Sequence, residues 1–115
     1  MKVLIVDDSE AMHHVIKGLI KDHVNEFVEG WDGSEALQLY REHRPDLVLM
    51  DLSMKEINGI QATLQIRAEF PDARVFIISA LDTLELQTLA QEIGVSTFIS
   101  KANLSTLKQL LVLLT

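Results

Sequence analysis

The sequence predicts an α/β fold, a single doubly wound sheet of five parallel strands in the (βα)5 pattern. Short apolar runs recur along the chain, and each is followed by a segment whose apolar residues repeat at helical spacing. Most of these runs are continuously apolar instead of alternating, which marks strands buried on both faces between layers of helix. A third observation bears on function, because residues with reactive side chains stand where the runs end. Asp7 and Asp8 follow the run at 3–6, Asp51 follows 47–50, Ser79 follows 75–78, and Lys101 comes two residues after Phe98-Ile99.

The first strand, Val3-Leu4-Ile5-Val6, leads to Ser9, a plausible helix cap, and to Met12, Val15, Ile16, Leu19 and Ile20 at helical spacing. A weaker strand follows near residues 26–31. Asp32-Gly33-Ser34 then turns the chain into a second helix with Ala36, Leu37 and Tyr40 inward, closed by Pro45. After the third strand, Asn58-Gly59 opens a helix carrying Ile60, Leu64 and Ala68 at i, i+4 spacing, and Phe70-Pro71-Asp72 stops it. A fourth helix is expected from about Thr83 to Ile93, ending at Gly94 in a left-handed cap. The fifth starts near Asn103 and runs to the end of the chain. Parallel strands joined this way use right-handed crossovers, and open sheets of the kind bind ligands beyond the carboxyl ends of their strands. The strand order 2-1-3-4-5 is borrowed as a template, since periodicity alone leaves the order open.

A chain of 115 residues fits one compact domain, here 1–115, and 48% apolar with 23% charged residues is enough for a packed core. A net charge of −7 with no cluster of Lys and Arg argues against direct nucleic-acid binding by this domain. The absence of cysteine excludes disulfides and suits a cytoplasmic location. Asp7 and Asp8 interrupt the first apolar run too early for a signal peptide, and no apolar stretch is long enough to span a membrane.

Taken alone, Asp7-Asp8 reads equally as a solvated turn, and Ser79 and Lys101 as ordinary residues at strand ends. Asp51 changes this reading. In the template order its strand neighbours the first, so three carboxylates gather, and each close pair repels by about 1–4 kcal/mol depending on the local dielectric. A hard divalent cation removes that repulsion, and Mg2+ suits an all-oxygen set that leaves room for water and phosphate oxygens. With no cysteine and no histidine pair at ligand spacing, zinc is disfavoured. Converting the Asp51 carboxylate to an acyl phosphate would add about one negative charge and three acceptor oxygens, for which Ser79 and Lys101 are the available donors. His13 and His14 stand next to each other on a helix, face different ways, and read as partly exposed surface residues.

Together these residues resemble the receiver domain of two-component response regulators. The resemblance runs from Met1 to the last helix through Val-Asp-Asp at 6–8, Asp-Leu-Val-Leu-Met-Asp at 46–51, Asn-Gly at 58–59, Ser-Ala at 79–80 and Phe-Ile-Ser-Lys at 98–101. It implies a signalling switch, not an enzyme: Asp51 accepts a phosphoryl group from a sensor histidine kinase or phosphotransfer protein. By the same resemblance Asp8, Asp51 and the Ser53 carbonyl bind Mg2+, Asp7 acts through water, Ser79 and Lys101 contact the phosphoryl group, and Phe98 turns inward on activation. The wording around 46–53 and 70–79 looks most like receivers that precede helix-turn-helix outputs. Two positions depart from the pattern, with Lys55 and Ala102 where many receivers carry proline.

The departures keep a second reading open, a receiver-like interaction module that is never phosphorylated. A flavin-binding relative would want Gly, Ser and Thr after the first strand, where Asp7-Asp8 stands. An aspartyl phosphatase would turn over added phosphoesters. On the last helix Leu104, Leu107, Leu110, Leu111 and Leu114 form a full inward stripe, leaving Val112 and Leu113 off it. These two residues suggest a homodimer or output contact, with a loosely covered helix end as the alternative.

Overall fold

A computed structural model describes residues 1–52, 58–95 and 97–114. Five strands alternate with five helices: β1 (Lys2–Val6), α1 (Glu10–Ile20), β2 (Glu26–Gly30), α2 (Gly33–His43), β3 (Leu47–Asp51), α3 (Gly59–Glu69), β4 (Val75–Ser79), α4 (Leu84–Glu92), β5 (Thr97–Ser100) and α5 (Ser105–Leu114). All strand pairs are parallel, in the order β2-β1-β3-β4-β5. The sheet topology is therefore the template order, 2-1-3-4-5.

Period-two alternation divides the strand side chains between two cores. Val3, Ile5, Leu47, Leu49, Phe76, Ile78 and Ile99 pack under α1 and α5, against Ile16, Ile20, Leu107 and Leu111. Leu4, Val6, Val48, Met50, Val75 and Ile77 face the opposite layer, which includes Ala36, Tyr40, Ala62, Ile66 and Ala90. This double burial is why the runs are unbroken by polar residues. Side-chain caps set the helix starts at the positions the sequence marked. Ser9, Asp32, Asn58 and Thr83 each accept a hydrogen bond from a backbone N–H in the first turn of the following helix. Arg44 leaves α2 in the left-handed region (φ 46°), and Gly94 takes the same region after α4 (φ 85°). The fifth helix begins slightly later than expected, because Lys101–Asn103 forms a 3-10 turn first.

Two helices are rotated from the expected orientation. In α3 the buried residues are Gly59, Ala62, Thr63 and Ile66, whereas Leu64 is 47% exposed and Ala68 also faces solvent. Gly59 dictates this, since its backbone lies against the end of β3 and turns the face at i+3, i+4 and i+7 inward. In α1 the buried residues are His13, Ile16 and Ile20, and Val15 is 45% exposed. The reading of His13 as a surface residue is thus corrected: it is 1% exposed. Its polar atoms tolerate burial because both ring nitrogens have oxygen neighbours.

Candidate functional site

Asp7 and Asp51 continue the rows Val3-Ile5 and Leu47-Leu49, which are opposite one another in the β1–β3 register. The two carboxylates therefore leave the sheet on the same side, and both residues are buried, at 2% and 4% exposure. Asp8, one residue further along the loop, is exposed. Carboxylate oxygens of Asp7, Asp8 and Asp51 lie within 4.8 Å of one another. Lys101, carried in from the end of β5, puts its Nζ 3.3 Å from Asp7 Oδ2 and 3.2 Å from Asp51 Oδ1. One ammonium thus bridges two carboxylates contributed by different strands.

The Asp7 side chain is fixed from a second direction, its Oδ1 accepting from the Ser9 N–H at 2.9 Å. Ser79 is buried at the end of β4, next to the strand that ends in Asp51, and its Oγ accepts from the Leu81 N–H at 3.1 Å. Burial alone would lower the pKa of the Lys101 ammonium, but the Asp51 and Asp7 carboxylates outweigh it and hold it above the usual lysine value. Three carboxylates against one ammonium leave the pocket with a formal charge of −2, open to solvent on the Asp8 side.

The donor set fits Mg2+ in its chemistry, being all carboxylate oxygen with an exposed side for water and phosphate. Ligand atoms on opposite sides of an ion with bonds near 2.1 Å lie about 4.2 Å apart. A spread within 4.8 Å is close to that scale before any ion draws the groups together. Ser53 and Lys55 lie outside the described residues. Among the described residues no peptide bond is cis, the Lys101–Ala102 bond included.

Gly59 and His13 also shape the pocket, and neither was assigned a part in the site from sequence. A Cβ on Gly59 would fall 2.1 Å from the Asp51 carbonyl oxygen, so only glycine permits this approach of α3 to the strand end. His13 Nε2 lies 2.7 Å from the Asp7 carbonyl oxygen. Its signal in the sequence was the spacing to Ile16 and Ile20, at i+3 and i+7, which places it on the core face of α1.

The family model of the response regulator receiver domain matches residues 3–112. This chain belongs to that family. Among curated relatives, the chemotaxis protein CheY of Listeria monocytogenes is 39% identical over 102 residues, covering 88% of this chain and 86% of its own. Bacillus subtilis CheY is 37% identical over 101 residues, covering 87% and 84%. Among solved structures, a LuxR-family response regulator from Aurantimonas superposes with a TM-score of 0.89 at 31% identity, covering 98% of this chain and 83% of that one. CheY in the CheX-CheY-BeF3-Mg2+ complex of Borrelia burgdorferi gives 0.89 at 28% identity, covering 100% and 90%. The receiver's acidic cluster thus sits on the fold its relatives share. No helix among the described residues is long and apolar enough to cross a membrane.

Proposed function

We propose that residues 1–115 form one receiver domain, a cytoplasmic switch in which Asp51 accepts a phosphoryl group from the phosphohistidine of a sensor kinase or phosphotransfer protein. The Lys101 ammonium shared between Asp7 and Asp51 is the observation that carries this reading. It puts an ammonium donor 3.2 Å from the carboxylate at the end of β3, inside an acidic pocket. Asp8, Asp51 and the Ser53 carbonyl are the expected Mg2+ ligands, with Asp7 acting through water. When bound, Mg2+ neutralises charge on the transferring phosphoryl oxygens. The Asp51 carboxylate oxygen forms the new P–O bond as the P–N bond to histidine breaks, and the departing imidazole nitrogen takes up a proton. The similarity to Borrelia burgdorferi CheY, whose complex with CheX holds BeF3 and Mg2+, supports this assignment.

The acyl phosphate brings three acceptor oxygens and about one further negative charge. Lys101 then turns from Asp7 towards a phosphoryl oxygen, and the Ser79 hydroxyl, whose Oγ accepts from the Leu81 N–H, donates its own proton to another. Phe98, packed against the core and lining an open groove with Gln87, Gln91 and Asn103, is the side chain expected to turn inward as the ends of β4 and β5 shift. Incubation with acetyl phosphate and Mg2+ should add one hydroxylamine-labile phosphoryl group, and Asp51→Asn should abolish the labelling. Labelling of Asp51→Asn at the wild-type level would contradict the assignment. No labelling of the wild type would favour the unphosphorylated interaction module.

The activated receiver is expected to pair through the surface of its last helix. Val112 and Leu113 are 52% and 81% exposed, outside the stripe that packs on the sheet. A two-fold dimer would set the same patch against itself. Sedimentation should show a monomer that dimerises when beryllofluoride is added, with Leu113→Glu blocking the shift. A monomer in both conditions removes the homodimer and leaves a contact with an output partner.

A further inference from the structure

We infer that His13 is a positioning residue for the cation pocket, fixing the peptide that joins Asp7 to Asp8 and coupling it to the Trp31 ring. The inference rests on the Mg2+ reading above. A carbonyl oxygen can only accept, so at 2.7 Å His13 Nε2 carries the proton and donates to Asp7 O. That carbonyl belongs to the peptide linking two of the three clustered carboxylates. An uncompensated change of ψ at Asp7 or φ at Asp8, which turns this carbonyl, shifts the two side chains relative to each other.

Among the described residues, the other contacts of Asp7 reach its N–H or its carboxylate and not this carbonyl. The Asp7 N–H donates to Gly30 O at 3.1 Å, which anchors the residue to β2 but lies before its Cα. Ser9 N–H and Lys101 hold the carboxylate, and neither touches the carbonyl. Among the described residues, the imidazole is therefore the group that holds the plane of the Asp7–Asp8 peptide. It is itself held by two further contacts, one of them braced from behind. Its Nδ1 lies 3.3 Å from Glu29 Oε1, the Glu29 carboxylate is paired with Lys17 Nζ at 2.6 Å, and the Trp31 indole stacks on the ring at 3.9 Å between centroids with 17° between planes. Lys17 comes from α1, whereas Glu29 and Trp31 come from β2 and the residue after it. The arrangement thus ties helix to edge strand behind the pocket. A buried imidazole at 1% exposure with this many fixed neighbours has little freedom to follow a carbonyl that moves.

Outer groups that orient metal ligands through one hydrogen bond typically change metal affinity by about 10- to 100-fold when removed. His13→Met and His13→Gln test this, because the two side chains have nearly the same length and only the amide offers a strong donor. Mg2+ affinity is read by calorimetry, and folding by circular dichroism and thermal unfolding. A folded His13→Met should bind Mg2+ about 10- to 100-fold more weakly, with His13→Gln recovering most of the loss. Trp31 is the sole tryptophan, so the wild-type protein offers a second readout that needs no variant. Its emission should change along the calorimetric binding curve. Wild-type affinity in folded His13→Met overturns the positioning role, and so does unchanged Trp31 emission at calorimetric saturation. No calorimetric binding by the wild type overturns the Mg2+ reading itself and this role with it.

Discussion

Gly59→Ala should abolish phosphorylation of Asp51 and destabilise the fold by about 3 kcal/mol or more, at or beyond the upper end for overpacking a filled space. The new methyl would meet the Asp51 carbonyl oxygen at 2.1 Å, its carbon at 2.9 Å and Leu52 Cα at 3.0 Å. All three are backbone or Cα atoms, so no rotamer change relieves the clash. Either α3 lifts from the sheet or the end of β3 moves. A displaced strand end takes Asp51 away from Lys101, now 3.2 Å off, and a lifted helix uncovers the Asp51 peptide. Urea unfolding and acetyl phosphate labelling measure the two effects, and a variant with native stability and normal labelling would contradict the contact.

Lys101→Met should cost the metal-free protein about 3 kcal/mol, the low end for breaking a buried ion pair because the lysine side chain remains 20% exposed. Asp7 and Asp51 would keep their burial and lose the shared cation. Mg2+ should then stabilise the variant more than the wild type, since it becomes the principal counter-charge in the pocket. The pH dependence follows from the direction of the Lys101 shift. Its folded pKa is raised by Asp51 and Asp7 against the opposing effect of burial. Its contribution is therefore fully present below the unfolded value near 10.4 and is lost as pH rises through the folded value. The wild type should lose stability along that alkaline limb, and Lys101→Met should lose less. Unfolding curves with equal Mg2+ increments in the two proteins would sink the argument.

The strands and their ends were legible in the sequence because burial on both faces leaves an unbroken apolar run, and the first polar residue after it marks the carboxyl end. Asp7, Asp51 and Ser79 were found in this way. Helix rotation was not legible. In α3 apolar and small residues occur all round, so Leu64 seemed as good a core residue as Ile66. What decides is the close approach of Gly59 to the backbone of Asp51 and Leu52 at the end of β3, a tertiary contact that periodicity does not register. His13 was missed for a related reason: a polar residue on a core face is recognised only with its partners, and Asp7 O and Glu29 reach it through the fold. Strand order had to be borrowed, since short parallel runs carry no mark of which neighbour they choose.

The strand order also governs how copies of the chain behave in a crowded solution. An open sheet has two outer rims, here β2 and β5, and unpaired backbone along a rim can recruit strands from other chains. Both rims are poor templates for such growth. β2 carries Glu26 and Glu29, and β5 has only four residues, with Thr97 and Ser100 at its ends. A net charge of −7 adds repulsion between copies at long range. Rim-to-rim stacking into fibrils is thereby discouraged while helix surfaces stay open for contact.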